Sequence, residues 1–252
     1  MELCGKLGIV KSILNAESSS KLSNHEPGES RFNLRGLADT WYVNFLQMLT
    51  ESVPKDEAAS IFDNVGIVTF NYDRCIERFL VQALGDYYDL TEQESEGIVS
   101  TLQIIHPYGT VGPLPWQNRN KGVPFGSTQT DLMEAAKRIK TFTEGLDDDD
   151  MLTKMRSLIE EAETVVFLGF AFHPMNMELL SPGCMAATKR IFATTLGMSD
   201  ADESVIEDDI WRMLGLDELD WSDKQSMQPE MAQATCRIFF QQYFRSLSAR
   251  AE

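Results

Sequence analysis

The residues whose types and spacing could do chemistry at one place are Asn71, Tyr72, Asp73 and His106. Asn71 and Asp73 stand two apart, directly behind the apolar run Val65-Gly66-Ile67-Val68-Thr69-Phe70. An asparagine side chain offers both a donor and an acceptor. An aspartate at a helix N-terminus is held in its ionised form. His106 follows a second short apolar run, Thr101 to Ile105, and titrates near neutral pH, as a general base must. Gly169 and Gly197 follow two further runs, where a missing side chain lets backbone N–H groups come close to a phosphate or ribose. Each residue also has a plainer reading. Asn and Asp are ordinary residues of a strand-to-helix turn, with Asp73 as an N-cap. His106 can be a turn histidine, His173 a loop residue, and His25 a solvent-exposed residue of a polar loop.

Such side chains need elements to position them. Val65–Phe70, Thr101–Ile105, Val165–Leu168 and Lys189–Thr194 read as strands, the first and third apolar enough for burial on both faces. Between them lie helical patterns: Cys75 to Leu84, Leu152 to Glu161, Met175 to Leu180 and Val205 to Leu214. Gly5–Leu22 and Leu37–Val53 predict helices before the first strand, and Met231–Leu247 a helix near the end. Strands alternating with helices indicate βαβ units and a parallel sheet. In such folds ligands bind beyond the carboxyl ends of the strands. The turns Asn71–Asp73, His106–Gly109, Gly169–His173 and Thr194–Ser199 are therefore expected to share one pocket. The segment from Thr110 to Thr130 reads as a long loop whose Trp116 and Phe125 either cover a ligand or pin the loop. The organisation expected is a helical segment 1–60 packed on the core, an α/β core 61–200, and an acidic helical extension 201–252, together one structural domain.

The chain has 252 residues, 43% hydrophobic and 24% charged, which suits a folded core. Its formal net charge of −17 argues against a nucleic-acid partner, since phosphate-backbone binding needs clustered Lys and Arg. The acids concentrate at Asp147–Asp150, read as a linker or a metal lure, and from Asp200 to Asp223. The latter is either a partner-binding surface or a helix packed on the body; a homo-oligomer or partner protein would use this half. Cys4, Cys75, Cys184 and Cys236 fit no zinc module, so no metal is expected, and they suit reduced thiols in a cytoplasmic protein. Neither a leader-like apolar stretch nor a membrane-length run is visible.

Thr69-Phe70-Asn71-Tyr72-Asp73, with Glu77 four residues on, resembles the TxNYDxxxE segment of the sirtuin-like (SIR2-like) NAD-binding family. His106-Pro107-Tyr108-Gly109 resembles that family's strand-end histidine followed by glycine, and Phe167 to Phe172 its later strand–glycine segment. The likeness spans Val65 to Ser199. It implies a Rossmann-like fold with helical additions at both ends, and NAD⁺ or an ADP-ribose-type nucleotide as ligand. Members deacylate lysines or cleave NAD⁺ at the nicotinamide–ribose bond, and many bacterial relatives without the zinc module deplete NAD⁺ in antiphage defence. By this resemblance, Asn71 lies near the nicotinamide ribose with Thr69 and Tyr72 beside it, and Asp73 holds the carboxamide. His106, followed by Gly109, acts on a ribose hydroxyl or a water. Gly169, Phe170, Thr194 and Gly197 contact the adenosine half. With no zinc ribbon, a deacylase is disfavoured against an NAD⁺ glycohydrolase. No GAGxS phosphate loop stands in the chain, since Cys4-Gly5-Lys6-Leu7-Gly8 has no strand before it. A nucleotide sensor without turnover, or an interaction scaffold, stays open beside the hydrolase.

Overall fold

A computed structural model describes residues 2–23, 34–141, 144 and 148–248. The expectation for His25 lies outside these residues. The architecture is α/β with two small parallel sheets. The chain divides into two compact units, 1–147 and 148–252, so the break falls inside the acidic segment rather than near 60 or 200.

In the first unit, helix α1 (Glu2–Ser19) and helix α2 (Trp41–Thr50) precede strand β1 (Gly66–Val68). Helix α3 (Cys75–Tyr88) and helix α4 (Glu92–Val99) lead to strand β2 (Gln103–Ile105), and helix α5 (Leu132–Ala136) follows the long loop. β1 and β2 pair in parallel, Ile67 opposite Ile104, and Thr69 N–H extends the pairing to the Ile105 carbonyl at 2.9 Å. The strands are shorter and less buried than their apolar runs suggest: Gly66 is exposed and Ile67 and Val68 are half-buried. α3 supplies the apolar bulk, with Phe79, Leu80 and Leu84 fully buried and Phe79 stacked on Tyr42 at 4.9 Å. A second cluster joins Val10 and Leu14 of α1 to Val111, Val123, Ala135, Ala136 and Ile139. The long loop is therefore lined with core residues at both ends, which fixes its path.

The second unit begins with helix α6 (Asp149–Glu161). Asp148 caps it by accepting from Met151 N–H at 3.0 Å, and Asp149 and Asp150 lie in its first turn. These acids are a helix start rather than a linker, because negative charge is stabilised at that end. Strand β3 (Thr164–Phe167), helix α7 (Pro174–Leu180), strand β4 (Arg190–Thr194), helix α8 (Asp200–Met213), helix α9 (Trp221–Ser226), strand β5 (Glu230–Ala232) and helix α10 (Cys236–Ser248) follow. The sheet order is β3-β4-β5, all parallel. β4 is central and the most buried, since it alone is paired on both sides. β5 corrects the expectation of a helix from Met231: Ala193 pairs with Met231 and Thr194 with Ala232, so the 201–252 stretch completes a sheet. Tertiary pairing overrides the helical preference of Met and Ala there. α10 packs on β4 through Phe239 and Tyr243 around Phe192, at 6.2 and 5.5 Å. α8 buries Ile206, Ile210, Trp211 and Met213, so its acidic face is the back of a packed helix, whereas Trp221 is 76% exposed. Among the described residues no helix is long and apolar enough to cross a membrane.

Candidate functional site

The parallel strands put the four turns at strand ends, as the sequence pattern requires, but in two separate pairs. Asn71–Asp73 and His106–Gly109 end β1 and β2 in the first unit. Gly169–His173 and Thr194–Ser199 end β3 and β4 in the second. The expected sharing of one pocket presupposes one sheet, and the strands divide between two, because strand periodicity does not encode the pairing partner.

The first pair meets directly. His106 Nδ1 lies 2.9 Å from the Asn71 carbonyl oxygen, and Nε2 lies 3.1 Å from Glu77 Oε1 on α3. Both side chains are nearly enclosed, at 10% and 5% exposure. Burial presses the imidazole pKa down. The hydrogen bond and charge of Glu77, the Asn71 carbonyl and the Asp73 charge outweigh it, and the net direction is upward. Thr69 Oγ1 accepts the Asn71 N–H at 3.3 Å. The Asn71 backbone is thus held at both ends, while its exposed carboxamide makes no hydrogen bond among the described residues.

Asp73 accepts the Cys75 N–H at 3.1 Å and so serves as the turn acid at the start of α3. Burial and the neighbouring Asp73 push the Cys75 thiol up, which keeps it protonated and unreactive. Tyr72 turns inward: its hydroxyl donates to the Lys140 carbonyl at 2.7 Å, and its ring packs on the α1–α5 cluster. Gly109 gives its N–H to the His106 carbonyl at 2.9 Å, and its φ of +76° lets the Arg138 carbonyl pass close by.

The second pair is internally satisfied. Gly169 N–H donates to Thr194 Oγ1 at 2.7 Å, and that hydroxyl donates to the Phe167 carbonyl at 3.3 Å. Gly197 N–H donates to Gln233 Oε1 at 3.0 Å, and Gln233 Nε2 donates to the Met198 carbonyl at 2.8 Å and to Glu203 Oε1 at 2.7 Å. The glycine amides that a phosphate would use are therefore spent inside the chain. Phe170 packs against Phe167 and Phe172, at 5.7 and 5.1 Å. His173 caps α7 by accepting from Met175 N–H at 3.3 Å.

Two neighbours stand beside these residues: Arg74, which no motif singles out, and Glu77, which the motif names without its partner. Arg74, next to Asp73, is fully buried and forms a two-pronged ion pair with Glu17 of α1, at 2.9 and 2.5 Å. Its remaining N–H groups reach the carbonyls of Gly112, Val123 and Pro124 in the long loop. Phe125 lies under the guanidinium groups of Arg74 and Arg78, at 5.9 and 6.0 Å, so this aromatic pins the loop. The available signal was a cation at a helix N-terminus, where the dipole disfavours it. The second neighbour is Glu77, whose Oε2 is buried with no hydrogen-bond partner among the described residues. A cavity of about 280 Å³ between the loop and α5 is lined by Lys121, Thr130, Asp131, Glu134 and Arg138, and by none of the expected site residues. Among the described residues no three His, Cys, Asp or Glu side chains group as metal ligands do.

The His106–Glu77 pair carries a pH signature. A raised folded-state pKa stabilises the protein fully below the unfolded value of about 6.5, and that contribution is lost as pH rises through the folded value. The melting temperature of the wild type should therefore fall from about pH 6 to about pH 9 more steeply than that of Glu77→Gln. Parallel curves would refute the pairing.

Comparison with protein-family models, with curated proteins and with solved structures gives no match.

Proposed function

We propose that the first unit binds a nucleotide of the NAD⁺ or ADP-ribose type through the turn at the end of β1, in a sirtuin-like, Rossmann-type setting. One observation carries the reading: the Asn71 carboxamide stands exposed at a parallel strand end, on a backbone fixed by Thr69 and His106. A fixed donor–acceptor pair of this kind suits the amide or ribose edge of such a ligand. The resemblance of residues 69–77 and 106–109 to the sirtuin-like segments supports the same ligand class. The residues fit the nicotinamide–ribose end. Gly169 and Gly197, which the resemblance assigns to the adenosine half, belong to the second unit, and their amides are already used there.

Two forms of this function differ in turnover. The hydrolase form breaks the nicotinamide–ribose bond and requires a base. The sensor form binds and releases. The engagement of both His106 nitrogens by acceptors within the chain favours the sensor, because neither nitrogen is left facing a ligand or a water whose proton it could take. Calorimetry with NAD⁺ and ADP-ribose, alongside a nicotinamide-release assay, separates them. We expect binding without nicotinamide release, weakened about tenfold in Asn71→Ala, which loses one good hydrogen-bonding group. Absence of binding by either nucleotide defeats the proposal, and nicotinamide release that His106→Ala abolishes restores the hydrolase.

A further inference from the structure

We propose that Glu77 is a positioning residue that, through a proton held on His106, latches the Asn71 carbonyl and so sets the turn at the end of β1. The argument is a count of protons. His106 faces two acceptors, the Asn71 carbonyl at Nδ1 and the Glu77 carboxylate at Nε2. A neutral imidazole has one N–H and satisfies one of them. Satisfying both requires a second proton, either on the ring or on the Glu77 oxygen that faces it. Each arrangement leaves Nδ1–H on the Asn71 carbonyl and one extra proton between Nε2 and Glu77.

The Glu77 side chain gains from a positively charged ring beside it. Its carboxylate is 5% exposed, its Oε1 has His106 as partner, and its Oε2 has no hydrogen bond among the described residues. A buried carboxylate so poorly satisfied is costly unless a positive charge or a proton sits beside it. The titratable groups facing the ring are Glu77 from α3 and Asp73 from the turn before it, both acidic, so both favour protonation. The Cys75 and Tyr42 side chains beside these acids stay neutral, because burial and the same acids push both pKa values up.

The chain of contact runs from buried carboxylate to imidazole to main-chain carbonyl, and it ends on the residue whose side chain is exposed. His106 in this arrangement is a holder of Asn71. The functional weight of the latch rests on the nucleotide reading above, whereas its existence does not.

The test is the ¹⁵N spectrum of the histidine rings in the full chain, with His106 assigned by its loss in His106→Gln. In the wild type at neutral pH, His106 should show either both nitrogens protonated or a proton fixed on Nδ1 with Nε2 strongly hydrogen-bonded. Its titration should lie above that of an ordinary histidine. Glu77→Gln keeps the shape and offers an amide donor to Nε2, so the ring should become neutral with Nδ1–H retained, and the upward shift should vanish. A neutral ring in the wild type with its proton on Nε2, or a titration that Glu77→Gln leaves unmoved, overturns the latch. The wild-type spectrum decides even where the variant folds poorly. In calorimetry with ADP-ribose, the wild-type dissociation constant should rise severalfold between about pH 6.5 and about pH 8.5, while that of Glu77→Gln stays flat. Failure of ADP-ribose to bind defeats the nucleotide reading, and the ring spectra still decide the latch.

Discussion

Glu17→Gln should destabilise the first unit by about 3–5 kcal/mol, the range for removing one partner of a buried ion pair. Glu17 and Arg74 have no exposed side-chain surface. The carboxylate receives four hydrogen bonds: from Arg74 N and Nε on Oε1, and from Arg74 Nη2 and Gly126 N on Oε2. Glutamine keeps the shape but leaves a buried guanidinium without its counter-charge, and its NH₂ meets N–H donors. The damage should be felt in the long loop, because Arg74 also holds the carbonyls of Gly112, Val123 and Pro124. Denaturant unfolding measures the loss, and hydrogen exchange of the Val111–Gly126 amides locates it. The double variant Glu17→Leu with Arg74→Met should recover part of it, since removing both charges leaves neither unpaired. A loss under about 1 kcal/mol for Glu17→Gln would mean that water replaces the missing charge.

The second large effect is expected at Gly109. Its φ of +76° alone costs an alanine about 1–2 kcal/mol. A Cβ there would also lie 2.0 Å from the Arg138 carbonyl oxygen, which is backbone and cannot swing aside. Displacing Arg138 pulls on Lys140, whose N–H donates to Tyr108 O at 2.8 Å and whose carbonyl accepts from Tyr72 at 2.7 Å. We expect Gly109→Ala to cost more than about 3 kcal/mol, a tail value for a single substitution. Gly197→Ala is the matched control, with φ of +82° but open space around the new methyl group. It should cost only the backbone strain, about 1–2 kcal/mol. Equal losses at the two positions would remove close approach as the reason for Gly109.

The positions and parallel sense of four strands were legible because apolar, β-branched runs ended in Asn, His or Gly turns. The fifth strand was not, since Met231-Ala232-Gln233-Ala234 reads as helix and becomes strand only by pairing with Phe192–Thr194. α4 has too few apolar residues to show a helical period, and its local signal is the capping box of Thr91 with Glu94. At the candidate site, the meeting of residue 71 with residue 106 followed from parallel strand ends. The partners that set its electrostatics did not. Glu77 lies 29 residues from His106 and Glu17 lies 57 from Arg74, and no periodicity links such pairs. The inward turn of Tyr72 was hidden for the same reason, because its acceptor is the main chain of Lys140.

Gln233 gives the carboxyl end of the second sheet a different character from the first. Its carboxamide takes the Gly197 N–H on one side and serves the Met198 carbonyl and Glu203 on the other, while Glu203 also bonds Thr195. A polar planar group hydrogen-bonded on both edges at a strand end is what a bound amide or base looks like to a protein. The Gly197 amide is thus held by a tethered side chain, at an effective concentration no free molecule matches. A small molecule at that place would compete with a side chain that never diffuses away, whereas the carboxamide of Asn71 is exposed and makes no hydrogen bond among the described residues.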